Sequence, residues 1–108
     1  MEEQTIVRAL SALAHPMRLK AFRALVVAGL EGLTPGVLQE QLDIPAATLS
    51  FHLKELNRAG LVTAERASRN IIYRAAFNEM NALLRYLTEN CCAGEACAVD
   101  TTQAACGC

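Results

Sequence analysis

Residues 46–62 read AATLSFHLKELNRAGLV, and this stretch decides the architecture. Leu49, Leu53 and Leu56 recur at i, i+4 and i+7, which puts them on one face of a helix running from about Ala46 to Arg58. The opposite face carries Ala47, Phe51, Lys54, Glu55 and Arg58, with Thr48 and Ser50 on its flanks. His52 falls near the apolar edge and reads as a partly packed side chain rather than a ligand. Gly60 stops the helix, and the pattern then changes period. Leu61–Arg66 and Asn70–Ala76 are strand-like, the second through the β-branched and aromatic run Ile71, Ile72 and Tyr73. Ala67, Ser68 and Arg69 join them, giving a two-stranded hairpin whose tip carries Arg66 and Arg69.

Working toward the N-terminus, Asp43, Ile44 and Pro45 form a turn. Ahead of it a short helix carries Val37, Leu38 and Leu42, opened by Thr34 as N-cap and Pro35 in the first turn. A longer helix starts at Pro16 with a stripe of Leu19, Phe22, Leu25 and Val26, and Gly29 and Gly32 end it. The first helix carries Ile6, Val7, Leu10, Leu13 and Ala14 at helical spacing. Beyond the hairpin, a last helix starts near Phe77 or Asn78, with a stripe of Phe77, Met80, Leu83, Leu84 and Leu87. After Asn90 the composition shifts to Ala, Gly, Thr and Cys, as in a flexible tail. Two short helices joined by a tight turn and followed by a hairpin describe a winged helix-turn-helix. The expected fold is mainly α with a β-hairpin wing, five helices and two strands. Residues 1–90 are expected to form this DNA-binding domain, and residues 91–108 a cysteine-rich tail.

The helix 46–58 has the features of a groove reader. Ala47 allows close approach to the major groove, and the Thr48 and Ser50 hydroxyls suit bases or phosphates. Phe51 suits a thymine methyl, Lys54 and Arg58 suit phosphates, which fix register without reading sequence, and Arg66 and Arg69 reach the backbone or the minor groove. Net charge over the whole chain is −1, so no global basic signature marks a nucleic-acid partner. The distribution is informative instead. Residues 45–76 carry Lys54, Arg58, Arg66, Arg69 and Arg74 against Glu55 and Glu65, a net +3, between segments of net −1 and −3. The 53% hydrophobic and 19% charged fractions argue against a wholly disordered chain. The opening Glu2-Glu3 is unlike a secretory leader, and no apolar run spans a bilayer, so a cytoplasmic protein without a membrane partner is expected. In that compartment thiols stay reduced. All five cysteines lie late in the chain, at Cys91, Cys92, Cys97, Cys106 and Cys108, where no disulfide staples the domain. Ligand or redox chemistry fits them better.

The segments Ala9–Arg23 (ALSALAHPMRLKAFR), Leu49–Val62 (LSFHLKELNRAGLV) and Arg69–Arg74 (RNIIYR) resemble the arsenic-repressor (ArsR/SmtB) family of winged-helix metalloregulators. The resemblance covers about Ile6 to Asn90. It implies a transcriptional repressor that binds double-stranded operator DNA as a homodimer through its first and last helices. Two sensor types of that family are excluded by residue identity. One carries a Cys-x-Cys pair where this chain has LQEQL at Leu38–Leu42, and another carries histidine on the last helix, which here reads FNEMNALLRYLTEN. What remains is similar to members that bind trivalent arsenic through an adjacent cysteine pair and a third cysteine. On this chain these are Cys91, Cys92 and Cys97. As(III) is then the inducer, with Sb(III) as its chemical neighbour, and no organic cofactor is implied. Soft, pyramidal As(III) takes three thiolates, which Cys91, Cys92 and, across a turn at Gly94, Cys97 are placed to supply. Cys106 and Cys108 leave three readings open, a second soft site, transfer ligands or spare thiols, and are at most auxiliary. A Cd-, Pb- or Zn-responsive repressor and a thiol redox switch on the same fold are the alternatives. A metallochaperone or reductase is the rival class. No nucleophile–base pair and no Cys-x-x-Cys after a strand supports it, so no enzyme activity is expected.

Overall fold

The helix that the leucine spacing defines is the centre of the molecule. In the computed structural model, which describes residues 2–94, α4 (Ala46–Arg58) buries Leu49, His52, Leu53 and Leu56. It packs against α1 (Glu3–Leu13), α2 (Pro16–Ala28), α3 (Pro35–Leu42) and the first strand. Each partner is bounded by local chemistry. His15 caps α2, its Nδ1 accepting the Met17 N–H at 3.1 Å, and Pro16 takes the first helical position, where a missing N–H costs nothing. Thr34 Oγ1 accepts the Val37 N–H at 3.4 Å to open α3. Asp43, in left-handed conformation at φ 53, closes it and turns the chain into α4.

The hairpin pairs β1 (Val62–Ala67) with β2 (Asn70–Ala75) in antiparallel register, Val62 opposite Ala75 and Ala67 opposite Asn70. The loop is therefore Ser68-Arg69, one residue shorter than the sequence suggests, because Ser68 adopts φ 58 and allows a tighter reversal. Leu61 lies ahead of the strand rather than in it. It is buried, its N–H bonds the Leu56 carbonyl and its carbonyl accepts the Ala76 N–H, so it locks α4 to both ends of the wing. One pairing was not foreseen: Leu33 and Tyr73 exchange backbone hydrogen bonds of 2.9 and 2.8 Å, adding a one-residue bridge to β2.

The core gathers Ile6, Ala9, Ala12, Phe22, Leu25, Leu38, Leu49, Leu53, Leu56, Leu61 and Val62. Among the described residues the architecture is five α-helices and one two-stranded sheet, with short 3-10 turns after α2 and α5, as expected for a winged helix-turn-helix. Two apolar stripes are only half used. On α1, Val7 (55% exposed) and Leu10 (42%) face outward. On α5 (Phe77–Thr88), Leu83 is the buried position, while Leu84 (44%) and Leu87 (55%) face outward. Leu19 is likewise exposed, because α2 centres its buried face on Ala21, Phe22 and Leu25.

Candidate nucleic-acid interface and cysteine segment

With its leucines inward, α4 presents Ala47, Thr48, Ser50, Phe51, Lys54 and Arg58 to solvent. Phe51 is 54% exposed, more than a side chain of its size would be if its role were packing. Two structures flank this face. On one side Ser50, Lys54 and Asn57 line a groove with Ala64 and Tyr73 of the wing. Asn57 Nδ2 donates to the Val62 carbonyl at 2.9 Å and fixes the angle between helix and wing. On the other side stands the start of α2. There Arg18 Nε donates to His52 Nδ1 at 3.2 Å, and the Arg18 guanidinium carbon lies 5.5 Å from the centre of the Phe51 ring.

His52 is 6% exposed, so its reading as a packed histidine holds, but it also accepts a hydrogen bond. Burial, then the nearby His15 and Arg18, pushes its pKa below the ordinary histidine value. The neutral form keeps the Nδ1 lone pair that Arg18 uses. The His15 and His52 rings are 4.6 Å apart, which brings His15 into the same cluster.

The arginines of the wing divide by task. Arg66, on β1 opposite Ile71, and Arg69, in the two-residue loop, are exposed at the tip. Arg74 points elsewhere. Its Nε donates to the Leu30 carbonyl at 2.7 Å and its terminal nitrogen bonds Glu65 at 2.8 Å, so it ties the wing to the turn after α2. Its contribution to the basic middle of the sequence is thus spent on architecture. Arg18, placed by sequence merely in a helix, stands beside Phe51. Its bond to His52, 34 residues away, has no local sequence signal.

Cys91 and Cys92 fall in a 3-10 turn, Cys91–Gly94, directly after α5. The chain leaves the helix through Asn90 at φ 57 and bends again at Ala93 at φ 56, whose N–H bonds the Asn90 carbonyl at 3.0 Å. Cys91 is half-buried. Cys97, Cys106 and Cys108 lie outside the described residues. Among the described residues no group of three His, Cys, Asp or Glu side chains is placed to hold a metal ion. No helix among them is long and apolar enough to cross a membrane.

Comparison with known proteins agrees with this geometry. A family model described as a helix-turn-helix domain matches residues 13–65, from the end of α1 into β1. A biofilm growth-associated repressor of Agrobacterium fabrum is 38% identical over 86 residues, covering 80% of this chain and 71% of the relative. An ArsR-like transcriptional regulator from Rhodococcus sp. RHA1 superposes with a TM-score of 0.69 at 26% identity, over 78% of this chain and 76% of that one. The crystal structure of a possible transcriptional regulator for arsenical resistance gives 0.60 at 26% identity, over 74% and 83%. Helix pair, wing and relatives converge, and the chain belongs to the ArsR/SmtB family of winged-helix transcriptional repressors, DNA-binding proteins rather than enzymes.

Proposed function

We propose that this chain is a cytoplasmic, arsenic(III)-responsive repressor that binds operator DNA as a homodimer and lets go when As(III) or Sb(III) is captured by Cys91, Cys92 and Cys97. The observation that carries the reading is the double character of α5. The helix leaves Leu84 and Leu87 uncovered and runs directly into the turn that holds Cys91 and Cys92. A ligand that reorganises that turn acts at the end of the same helix whose apolar face would meet a second copy. Similarity to a regulator for arsenical resistance supports the choice of inducer.

The donor chemistry fits. Three thiols displace the three hydroxides of arsenous acid, each thiol proton leaving with a hydroxide as water, so three As–S bonds replace three As–O bonds with no change of oxidation state. The product is a pyramidal AsS3 centre that suits neighbouring thiols better than a closed tetrahedron does. On the DNA side, Ala47, Thr48, Ser50 and Phe51 meet the major groove, and Lys54, Arg58, Arg66 and Arg69 hold phosphates. A tenfold loss of operator affinity needs only about 1.4 kcal/mol of differential binding between the two states. A modest displacement of paired recognition helices is enough to supply that.

The test is an operator-shift titration of the wild type and Cys97→Ser with arsenite, antimonite, cadmium and zinc, and with a mild oxidant. Release of the wild type by arsenite, lost in Cys97→Ser, is expected. A complex indifferent to arsenite removes the reading. Release by cadmium or zinc alone then points to a thiolate metal site, and release by oxidant alone to a disulfide switch.

A further inference from the structure

Arg18 sits on the flank of α4 that faces away from the wing. Its Nε is engaged by His52, and its guanidinium carbon lies 5.5 Å from the centre of the Phe51 ring, so the position of the group is set. Its terminal amino groups have no protein acceptor among the described residues. Half-buried and, among the described residues, without a carboxylate partner, it is an unusual arginine for a small domain. The groove of about 250 Å³ beyond it is lined by Arg8 and Ser11 of α1, Arg18, and Glu55 and Arg58 of α4. Its one carboxylate among the described residues, Glu55, is already taken up by Arg58 at 3.6 Å. The flank is therefore positive and continuous with the exposed face of the helix.

We infer that Arg18 is a DNA-phosphate contact, and that His52 is the positioning residue that holds its guanidinium at the edge of the groove-facing surface of α4. The inference rests on the reading of α4 as the recognition helix. A guanidinium whose Nε is anchored still offers its terminal amines, the donor arrangement that phosphate oxygens accept. The cation–π contact with Phe51 and the bond to His52 restrict its rotamer freedom before DNA arrives, so less is lost on binding. Neutral His52 is essential to this, since protonation of Nδ1 would cancel the acceptor. Its depressed pKa keeps the acceptor in place at neutral pH. Arg18 on one flank and Arg66 and Arg69 on the other would grip the backbone on both sides of the groove that α4 enters.

The experiment uses the full chain and two duplexes, one selected from random-sequence DNA by the wild type and one scrambled, with binding followed by anisotropy over a salt series. Arg18→Gln is expected to weaken both duplexes alike, by roughly tenfold. It should also lower the slope of log K against log salt by about 0.9 for each engaged protomer. Arg18→Lys should keep the slope and lose affinity, because it retains the charge without the Nε donor. His52→Asn, which keeps an acceptor near the position of Nδ1, should bind better than His52→Leu. The double variant Arg18→Gln/His52→Leu should be no weaker than Arg18→Gln alone. An unchanged slope and affinity in Arg18→Gln, while Lys54→Gln lowers both, overturns the inference and leaves the recognition helix standing. No effect from either variant overturns the reading of α4 as well. Loss confined to the selected duplex would make Arg18 a base contact and refute the phosphate assignment. Additive losses in the double variant would refute the positioning role of His52.

Discussion

His52 concentrates the titration chemistry of the domain. It is buried against the leucine face of α4, with His15 and Arg18 as its charged or titratable neighbours, and all three influences disfavour its protonated form. Its pKa in the folded state is therefore below that in the unfolded chain, so the unfolded chain binds more protons at mildly acidic pH. The stability this group contributes is present above the unfolded value and is lost as pH falls through the folded one. Thermal unfolding should show a lower Tm at about pH 5.5 than at about pH 7.5. His52→Asn should narrow that difference, and an equal difference in the variant would place its origin elsewhere. The arginines show how far single residues are legible in sequence. The phase of α4 exposes Lys54 and Arg58 by arithmetic alone, and the hairpin tip exposes Arg66 and Arg69. Arg74 is misread by charge counting, because its partners, the Leu30 carbonyl and Glu65, are supplied by the folded chain. Arg18 is invisible for the same reason, its histidine and phenylalanine lying on another helix.

At the scale of elements, helix ends were legible because capping is local. Thr34-Pro35 marks one helix start and Pro16 another, while the His15 cap on the second appears only in the folded chain. The wing was less so. Its strands follow from Ile71, Ile72 and Tyr73, but the loop is one residue shorter than the sequence suggests because of the left-handed conformation of Ser68, which a serine does not announce. Its attachment to the body was also hidden, since it depends on the close approach of two backbones at Gly32. That glycine has φ +70, and a Cβ there would lie 2.5 Å from the Tyr73 carbonyl oxygen and 2.8 Å from side-chain atoms of Ile72 and Arg74. Gly32→Ala should therefore displace the Leu33–Tyr73 bridge and destabilise the fold by more than about 1 kcal/mol, measurable by urea unfolding. Thr34→Ala removes one cap bond and should cost about 1 kcal/mol. If Gly32→Ala proves no worse than Thr34→Ala, the wing is not anchored through this contact. Hydrogen exchange at the Tyr73 amide, which bonds the Leu33 carbonyl, reports the bridge directly.

For the molecule as a whole, the apolar stripes of α1 and α5 exceed what one copy buries. Val7, Leu10, Leu84 and Leu87 repeat at the spacing of a packed helix face yet remain in solvent. The sequence shows this surplus as amphipathic stripes of full width. Nothing local distinguishes positions that meet the chain's own core from positions that would meet a second one. In the proposed two-fold pair these side chains cover each other, and the symmetry sets two α4 helices at a fixed spacing along the duplex. Leu87→Glu places a charge in that contact while touching nothing that the single copy buries. The variant should keep the circular dichroism of the wild type, because Leu87 is already 55% exposed. It should sediment as a monomer at concentrations where the wild type is a dimer, since an unpaired buried charge removes several kcal/mol of association. Operator binding should then become steeply dependent on protein concentration, because assembly and DNA binding share one equilibrium. A wild type that sediments as a monomer, or a Leu87→Glu protein that stays dimeric, would show that α1 and α5 do not form the contact. The link proposed between the Cys91–Cys92 turn and the spacing of the recognition helices would then lose its physical route.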